Sequence, residues 1–570
     1  LENTKRKKLS GARILVETLI EQGVTDVFGI PGGQVVDIYD ELYKARKRIR
    51  HILTAHEQGA SHAADGYARA SGKVGVAIAT SGPGATNLVT GIAAAMLDSI
   101  PMVIVTGNVP TELIGRDSFQ EINITGITFS ITKHNYFVTD VNELADTVRE
   151  AFRIARSGRP GPVLIDIPKD VQLSKAFYEP MGAQEADVLP PADDGLIKKA
   201  AEIINNSERP YIYIGGGAAA NCMGKEIMEF AEKIDAFTGC SLMGVSALPN
   251  SFERFLGMQG MHGRYASTKA NIEADVIIGV GVRFSDRATG DAKKYALNSK
   301  IIQLDADNAE INKNVTVDVG LVGDVKKTFA SLLAQVSEKK RPEWHKRALT
   351  LKDEGRRIFN RIDENALSAV TPKQIFEIIN SEKAANTLVA TDVGQHQMWA
   401  AQYLKFDRPR SFISSGGLGA MGYGLGAAIG AYTATKKRAV LITGDGSFSM
   451  NLTELATAVS YKVPVVIVLM NNSSLGMVRQ WQTLFYGGRY SATSLERQTD
   501  FVKVCEAFGG KGERITTASE FRKAFTRALR FNGPYLIEVP IDKDELVLPM
   551  IPSEGALEDL ITEDERKKKH

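Results

Sequence analysis

The stretch Ala439-Val440-Leu441-Ile442-Thr443-Gly444-Asp445-Gly446 is answered further on by Pro464-Val465-Val466-Ile467-Val468-Leu469-Met470-Asn471-Asn472. Both runs are continuously apolar, as strands buried on both faces of a parallel sheet are. Between them, Leu452-Thr453-Glu454-Leu455-Ala456-Thr457-Ala458-Val459 is apolar at helical spacing. The unit reads as strand, helix, parallel strand. It brings Asp445 and Asn472 to the carboxyl edge of one sheet, where open α/β sheets bind ligands. Glycines on either side of Asp445 let a diphosphate approach the backbone. A carboxylate and an amide oxygen, joined by phosphate oxygens and water, make the hard-oxygen set that Mg²⁺ prefers. A rival reading takes Gly417-Leu418-Gly419-Ala420-Met421-Gly422 as G-x-G-x-x-G and Asp445 as its ribose acid. That reading leaves Gly446-Ser447 and the Asn471-Asn472 pair without a use.

With 570 residues the chain exceeds one hydrophobic core and calls for about three domains. Its 44% hydrophobic and 24% charged content places it among globular proteins rather than disordered ones. Lys and Arg number 69 against 67 Asp and Glu, which argues against nucleic acid or an anionic membrane as partner. The basic stretches Lys5–Lys8 and Arg566–Lys569 are expected to be solvated tails. No apolar run has the length of a membrane span, and no secretion signal is expected before the first helix. Cys222, Cys240 and Cys505 follow no pairing motif, which suits a reducing, cytoplasmic setting. His56 and His62 are spaced wrongly to share a metal on one helix face, and no zinc is expected.

A displacement of 363 positions lays Thr80–Asn108 over Thr443–Asn471 without a gap. Thr80/Thr443, Thr90/Thr453, Ala93/Ala456, Ala95/Ala458, Pro101/Pro464, Val103/Val466, Ile104/Ile467, Val105/Val468 and Asn108/Asn471 are identical. Both copies read strand, glycine-rich turn, helix, Pro-led strand. Gly82 stands where the second copy has Asp445, so the first copy keeps the fold and loses the metal ligand. The expected architecture is α/β, with three doubly wound parallel-sheet domains at 1–182, 195–340 and 366–570. A polar, Pro-bearing linker falls at 185–194, and a charged helix at 343–365 leads into the third domain. In the middle domain, Gly215-Gly216-Gly217 follows one apolar run, while Asp305 and Gly323-Asp324 end later ones. Glycine turns and acids at strand ends suit a dinucleotide.

Gly444-Asp445-Gly446 with Asn471-Asn472 resembles the metal-diphosphate motif of thiamine diphosphate enzymes. Other strings narrow the resemblance to the catalytic subunit of acetohydroxyacid (acetolactate) synthases. They are Phe28-Gly29-Ile30-Pro31-Gly32-Gly33, Ala79–Asn87, Phe119-Gln120-Glu121, Thr132-Lys133-His134-Asn135, Gly476-Met477-Val478-Arg479-Gln480-Trp481-Gln482 and Leu548–Pro552. The resemblance implies a fold with a pyrimidine-binding, a central FAD-binding-like and a diphosphate-binding domain. It implies that Asp445, Asn472 and the Ser474 carbonyl hold Mg²⁺. Gly394, Gln395, His396, Gly419, Gly446, Ser447 and Met477 would contact thiamine diphosphate, and Met421 would brace its bent form. Glu57, within Thr54–Ala60, would protonate the pyrimidine nitrogen, whereas a Glu at a helix start is ordinarily a cap or solvated. Gly33, Phe119, Gln120 and Lys169 would line the pocket.

By the same resemblance Arg287 would bind a 2-keto acid's carboxylate, and Trp481 would form the wall that selects the acceptor's alkyl group. Trp344 and Trp399 read as ordinary core or interface aromatics. Gly215, Gly216, Gly217, Met261, His262, Gly281, Arg283, Asp305 and Asp324 would hold FAD, with Ser285 standing where an acid is usual. Gly487-Gly488 replaces a bulkier pair. The implied reaction decarboxylates pyruvate and transfers the hydroxyethyl unit to pyruvate or 2-ketobutyrate, giving 2-acetolactate or 2-aceto-2-hydroxybutyrate in branched-chain amino-acid biosynthesis. Alternatives are an FAD-independent catabolic acetolactate synthase and a pyruvate oxidase. A homodimer or homotetramer with sites between subunits is implied, with a separate small regulatory subunit left open.

Overall fold

The computed structural model describes residues 6–563. Three six-stranded parallel sheets carry the chain. The first comprises Asp26–Gly29, Arg50–Leu53, Gly75–Ala79, Met102–Asn108, His134–Phe137 and Pro162–Pro168. Numbered along the chain, its strands lie in the order 2-1-3-4-6-5. The last sheet comprises Leu388–Thr391, Phe412–Ile413, Ala439–Gly444, Val465–Asn471, Lys511–Arg514 and Tyr535–Pro540, and repeats that order. The two halves of the sequence repeat therefore occupy the same third and fourth places of their sheets.

The repeated asparagine has a physical reason in both copies. Asn108 Nδ2 donates to Asp166 at 2.6 Å, and Asn471 Nδ2 donates to Glu538 at 2.7 Å. Each acid sits on the neighbouring sixth strand of its sheet. Asp166 also accepts from Thr106 Oγ1, and burial pushes its carboxyl up to about 7. Glu538 is instead paired with Arg514 at 3.0 Å.

The middle sheet comprises Pro210–Ile214, Phe237–Cys240, Phe255–Met258, Val276–Val280, Lys300–Asp305 and Val319–Val322, in the order 3-2-1-4-5-6. That order reverses between the first and fourth strands, which opens a crevice at their carboxyl ends. The glycine turn Gly215–Gly217 and Gly281 meet at that switch point. A Cβ on Gly215 would lie 1.9 Å from the Gly281 carbonyl oxygen, and Gly217 N donates to it at 3.0 Å.

Two expectations need correction. Lys7 and Lys8, taken as part of a solvated tail, lie in strand Lys7–Ser10, paired antiparallel with Lys175–Tyr178. Backbone pairing needs no apolar side chain, so the exposed lysines hid it. Lys5 and 566–569 lie outside the described residues. The helix expected at 452–459 is also broken: a turn of 3₁₀ helix, Leu452–Glu454, precedes α-helix Leu455–Ser460. The charged stretch near 343–365 is one helix, Pro342–Glu364, with Trp344 on its buried face.

The first and last sheets are joined by two helices of small residues, Glu57–Ser71 and Tyr423–Thr435. Their backbones touch. A Cβ on Gly66 would fall 2.1 Å from the Ala427 carbonyl oxygen, and one on Gly430 would fall 1.8 Å from that of Ala63. Gly430→Ala is therefore expected to destabilise the protein by about 2 kcal/mol or more, because backbone rather than a flexible side chain must move. Denaturant unfolding measures this.

Asp166 yields a pH prediction. Its carboxyl keeps a proton in the folded state up to about 7, above its unfolded value. Its contribution to stability is full below the unfolded value near 4 and is lost as pH rises to about 7. Asp166→Asn should remove that slope between pH 4 and 7 from the unfolding free energy.

Candidate active site

The carboxyl edge of the last sheet gathers most of the residues expected at the diphosphate. Strand Ala439–Gly444 ends directly at Asp445, which opens the short helix Asp445–Phe448. Burial pushes the Asp445 carboxyl up to about 6, although backbone N–H groups of Gly446 and Asn472 are aimed at it. Asn472 Oδ1 accepts from Ser474 N at 3.1 Å, and Asn472 Nδ2 donates to Gln395 Oε1 at 3.1 Å. Ser474 Oγ and Leu475 N both donate to the Thr493 carbonyl, each at 2.8 Å, which fixes the turn after Asn472.

Gln395 and His396 open helix Gln395–Tyr403 after Gly394 and are buried. The His396 ring passes so close to Gly444 that a Cβ there would lie 2.9 Å from Nδ1. Burial holds this imidazole neutral, down to about 3, and its Nε2 is buried without a protein partner. Gly446 faces Met421: a Cβ there would lie 3.8 Å from Met421 Cε and 3.0 Å from Leu475.

The segment bearing Gly419 and Met421 is pinned from beneath by Asp392, a residue the sequence reading missed. Gly422 N donates to Asp392 Oδ1 at 2.8 Å and to Ser447 Oγ at 3.2 Å, and Thr443 Oγ1 donates to Asp392 Oδ2 at 3.1 Å. Gly419 and Gly422 have φ of 66° and 86°, a left-handed backbone that glycine adopts without strain.

A buried, under-solvated carboxylate, an amide oxygen and a backbone carbonyl are the oxygen donors a hard dication takes, and the orphaned His396 nitrogen beside small glycines fits phosphate oxygens. Among the described residues no cluster of three or more His, Cys, Asp or Glu that could hold a metal ion forms.

A second group forms at the carboxyl edge of the first sheet. Glu57 opens helix Glu57–Ser71, and its Oε2 accepts from Asn87 Nδ2 at 2.9 Å. Its Oε1 lies beside Gly84, at 3.4 Å from where a Cβ would stand. Glu454, also missed by the sequence reading, ties the start of this helix to the last domain. Its buried carboxylate accepts from Ala55 N at 3.1 Å and His56 N at 3.0 Å. Lys169 Nζ donates to the Gly33 carbonyl at 3.0 Å and pairs with Asp37 at 2.6 Å. Gln120, at φ 62°, closes over Gly82, and Phe119 beside it is 83% exposed.

The third group is a cleft of about 760 Å³ that joins the middle and last domains. Helix Gly476–Phe485 starts just past Ser474 and presents Met477, Val478 and Trp481 to this cleft, while Arg287 enters from the middle domain. Arg479 and Gln480 point the other way. Arg479 pairs with Asp544 at 2.7 Å, and Gln480 Nε2 donates to the Val547 carbonyl at 3.0 Å. Gln395 donates in turn to Gln480 at 3.1 Å and to the Glu545 carbonyl at 2.8 Å. Residues 545–551 thus form a strap, and its far end reaches the middle domain through Ile551 N to the Met261 carbonyl at 2.8 Å. Met261 N donates to the Arg287 carbonyl at 2.7 Å. Arg489, unremarked in the sequence, lines the same cleft. The left-handed Gly487 and Gly488 lead the chain to it, and a Cβ on Gly487 would lie 3.0 Å from its guanidinium. The cleft therefore carries two arginines and no acid in its lining.

In the middle domain, His262 is buried and held neutral, down to about 4, by burial and then by Arg287; its Nδ1 has no protein partner. Gly215, Gly216 and Gly217 cap the first strand opposite Gly281, whose φ is 55°. Arg283 is half-buried, and Asn314 Nδ2 donates to its carbonyl at 2.8 Å. Burial raises Asp305 to about 6. Asp324 is engaged as the N-cap of helix Val325–Gln335, accepting from Lys327 N at 2.9 Å.

Comparisons with known proteins now bear on these three groups. Residues 9–127 match the family "Thiamine pyrophosphate enzyme, N-terminal TPP binding domain". Residues 197–332 match the central domain of the same enzymes, and 392–539 match their C-terminal TPP binding domain. Over 97% of this chain and 95% of the relative, it is 45% identical to a probable acetolactate synthase large subunit of Methanocaldococcus jannaschii. The chain belongs to the acetolactate synthase large-subunit family of thiamine pyrophosphate enzymes. It is also 42% identical to acetolactate synthase isozyme 2 large subunit of Escherichia coli, over 95% of this chain and 98% of the relative. The large subunit of Corynebacterium glutamicum is 43% identical over 97% and 90%. Membership accounts for two sheets of one topology flanking a third, as expected from the repeat. Among the described residues, no helix is long and apolar enough to cross a membrane.

Proposed function

We infer that this chain is the catalytic subunit of an anabolic acetohydroxyacid synthase, which condenses two 2-keto acids with loss of CO₂. The observation that carries this reading is the helix Gly476–Phe485. It runs from the Asp445–Asn472–Ser474 shelf into a cleft where Trp481 and Met477 meet Arg287. Asp445, Asn472 and the Ser474 carbonyl would hold Mg²⁺, and His396, Gln395 and Gly394 would receive the diphosphate. Thiamine diphosphate, when bound, supplies the carbon acid that takes up a 2-keto acid and lets its carboxylate leave as CO₂.

The chain's own residues do the rest. Asn87 fixes Glu57 Oε2, and Oε1, beside Gly84, would be the acid–base partner of the pyrimidine nitrogen. Arg287 fixes the carboxylate of the incoming 2-keto acid with a charged, two-pronged donor. Trp481 forms an apolar wall that an ethyl group covers better than a methyl group does. A discrimination of about 1–3 kcal/mol is what one methylene supplies in such a pocket.

The strand order of the middle sheet, the close glycines 215–217 and 281 and the orphaned His262 nitrogen support FAD binding there. Electron transfer has no place in the net reaction, so the flavin's role is structural. Phe119 and Phe129, 83% and 78% exposed on the first domain, support a homodimer or homotetramer whose sites are completed between subunits. The relatives' designation as large subunits supports a separate regulatory chain.

Two outcomes test the reading. With pyruvate and 2-ketobutyrate at equal concentration, acetohydroxybutyrate is expected to predominate, and Trp481→Leu should cut that preference by tenfold or more; acetolactate as sole product of the unaltered protein refutes it. Glu57→Gln should lower kcat by about 10²-fold or more while diphosphate affinity, measured by titration, stays within a few-fold.

A further inference from the structure

One buried charge cluster has no part in the chemistry so far. Asp98 ends helix Val89–Asp98 of the first domain, and its side chain is fully buried. Its carboxylate is directed at the last domain. Oδ2 accepts from Gly416 N at 2.9 Å, and Oδ1 accepts from Gly417 N at 2.7 Å. Arg69 Nη2 donates to Oδ2 at 2.8 Å. Arg69 is also gripped by Asp65, at 2.5 and 3.1 Å, and Asp65 Oδ1 accepts from Tyr423 OH at 2.5 Å. Within this cluster only Asp98 accepts from the backbone ahead of Met421, whereas Asp65 holds the side chain of Tyr423, the first residue of the following helix.

Burying two carboxylates and a guanidinium is costly, and apolar residues would join two helices at least as well. The crossing is already sealed by Gly66, Gly430, Ala63 and Ala427, so adhesion does not call for the charges. What charges add is direction. Two consecutive backbone N–H groups on the two oxygens of one carboxylate fix both the place and the turn of the peptide between them. At the other end, Asp392 and Ser447 take the N–H of Gly422. Between these two anchors the segment holds the left-handed Gly419 and presents Met421 to Gly446.

We propose that Asp98 is a positioning residue for the cofactor: from the first domain it sets the 416–422 segment of the last domain, and through it the Met421 side chain. The proposal rests on the reading of Met421 as the brace of thiamine diphosphate. It makes cofactor affinity depend on how the two domains are docked, although Asp98 touches no cofactor.

The test titrates thiamine diphosphate, with Mg²⁺ in excess, into full-length D98N, D65N and M421A, following tryptophan fluorescence and the cofactor dependence of carboligation. The amide of D98N turns a donor toward a glycine N–H, so cofactor affinity should fall about tenfold or more. Saturating cofactor should restore most of kcat. D65N removes charge from the same cluster but not from the loop; its melting temperature should drop with cofactor affinity unchanged. Equal losses of melting temperature in D98N and D65N, with unchanged affinity in both, overturn the proposal. A loss in M421A without one in D98N overturns it while leaving the reading of the loop intact. An unchanged M421A overturns the reading of Met421 and the route by which Asp98 acts. Amide hydrogen exchange of the unaltered protein adds a check that needs no variant: the Gly416 and Gly417 amides should be slow, and exchange at solvent rates overturns the proposal.

Discussion

The contact on which the molecule depends is the crossing of helices Glu57–Ser71 and Tyr423–Thr435. Its glycines and alanines let two backbones touch, so the crossing has no slack: a single methyl group at Gly66 or Gly430 meets a carbonyl oxygen. Everything at the two carboxyl edges is referred to this contact. Glu57 is the first residue of one helix, and Gly422 and Met421 immediately precede the other. The polar ties between the domains, Glu454 to Ala55 and His56 and Asp98 to Gly416 and Gly417, then set orientation rather than adhesion. Small residues supply proximity and buried carboxylates supply angle. The price of the second is desolvation, visible in the raised carboxyls of Asp392 and Glu454.

The middle domain is coupled differently. Instead of a crossing of small-residue helices, polar ties hold it: Arg264 to the Gln402 carbonyl, Gln402 to the His262 carbonyl, and the strap 545–551, hydrogen-bonded at one end to Gln395 and Gln480 and at the other to Met261. The helix bearing Trp481 is therefore read on two faces. Met477, Val478 and Trp481 look into the cleft, while Arg479 and Gln480 hold the strap. The two arginines give the cleft a positive lining, although Arg287 also pairs with the exposed Asp286 at 3.6 Å.

Much of this was legible along the chain because it is local. Strand, glycine turn and helix are written in consecutive residues, and so are Asp445 at a strand end and Asn472 at the next. The repeat of Thr80–Asn108 at Thr443–Asn471 was visible as well, and it foretold two sheets of one topology. What escaped was set by partners far away in sequence. Asp392, Glu454 and Asp98 carry no motif; each matters because a backbone N–H from another segment reaches it. Arg489 escaped because its neighbours in the cleft come from two domains, although the unusual Gly487-Gly488 marked the place. Strand Lys7–Ser10 was hidden by its lysines, since an edge strand can be polar on its outer face.

The strap has a consequence for biosynthesis of the molecule itself. Residues 545–551 follow in sequence the groups that tie them to the middle and last domains: Met261, Gln395, Gln402 and Gln480. Domains of a nascent chain fold as they emerge, earliest first. On the ribosome, all three sheets can therefore form before the strap is in place beside Trp481 and Met261. The strap closes late in synthesis, so a polypeptide that stops before it has the three sheets but not the fastened cleft between Arg287 and Trp481.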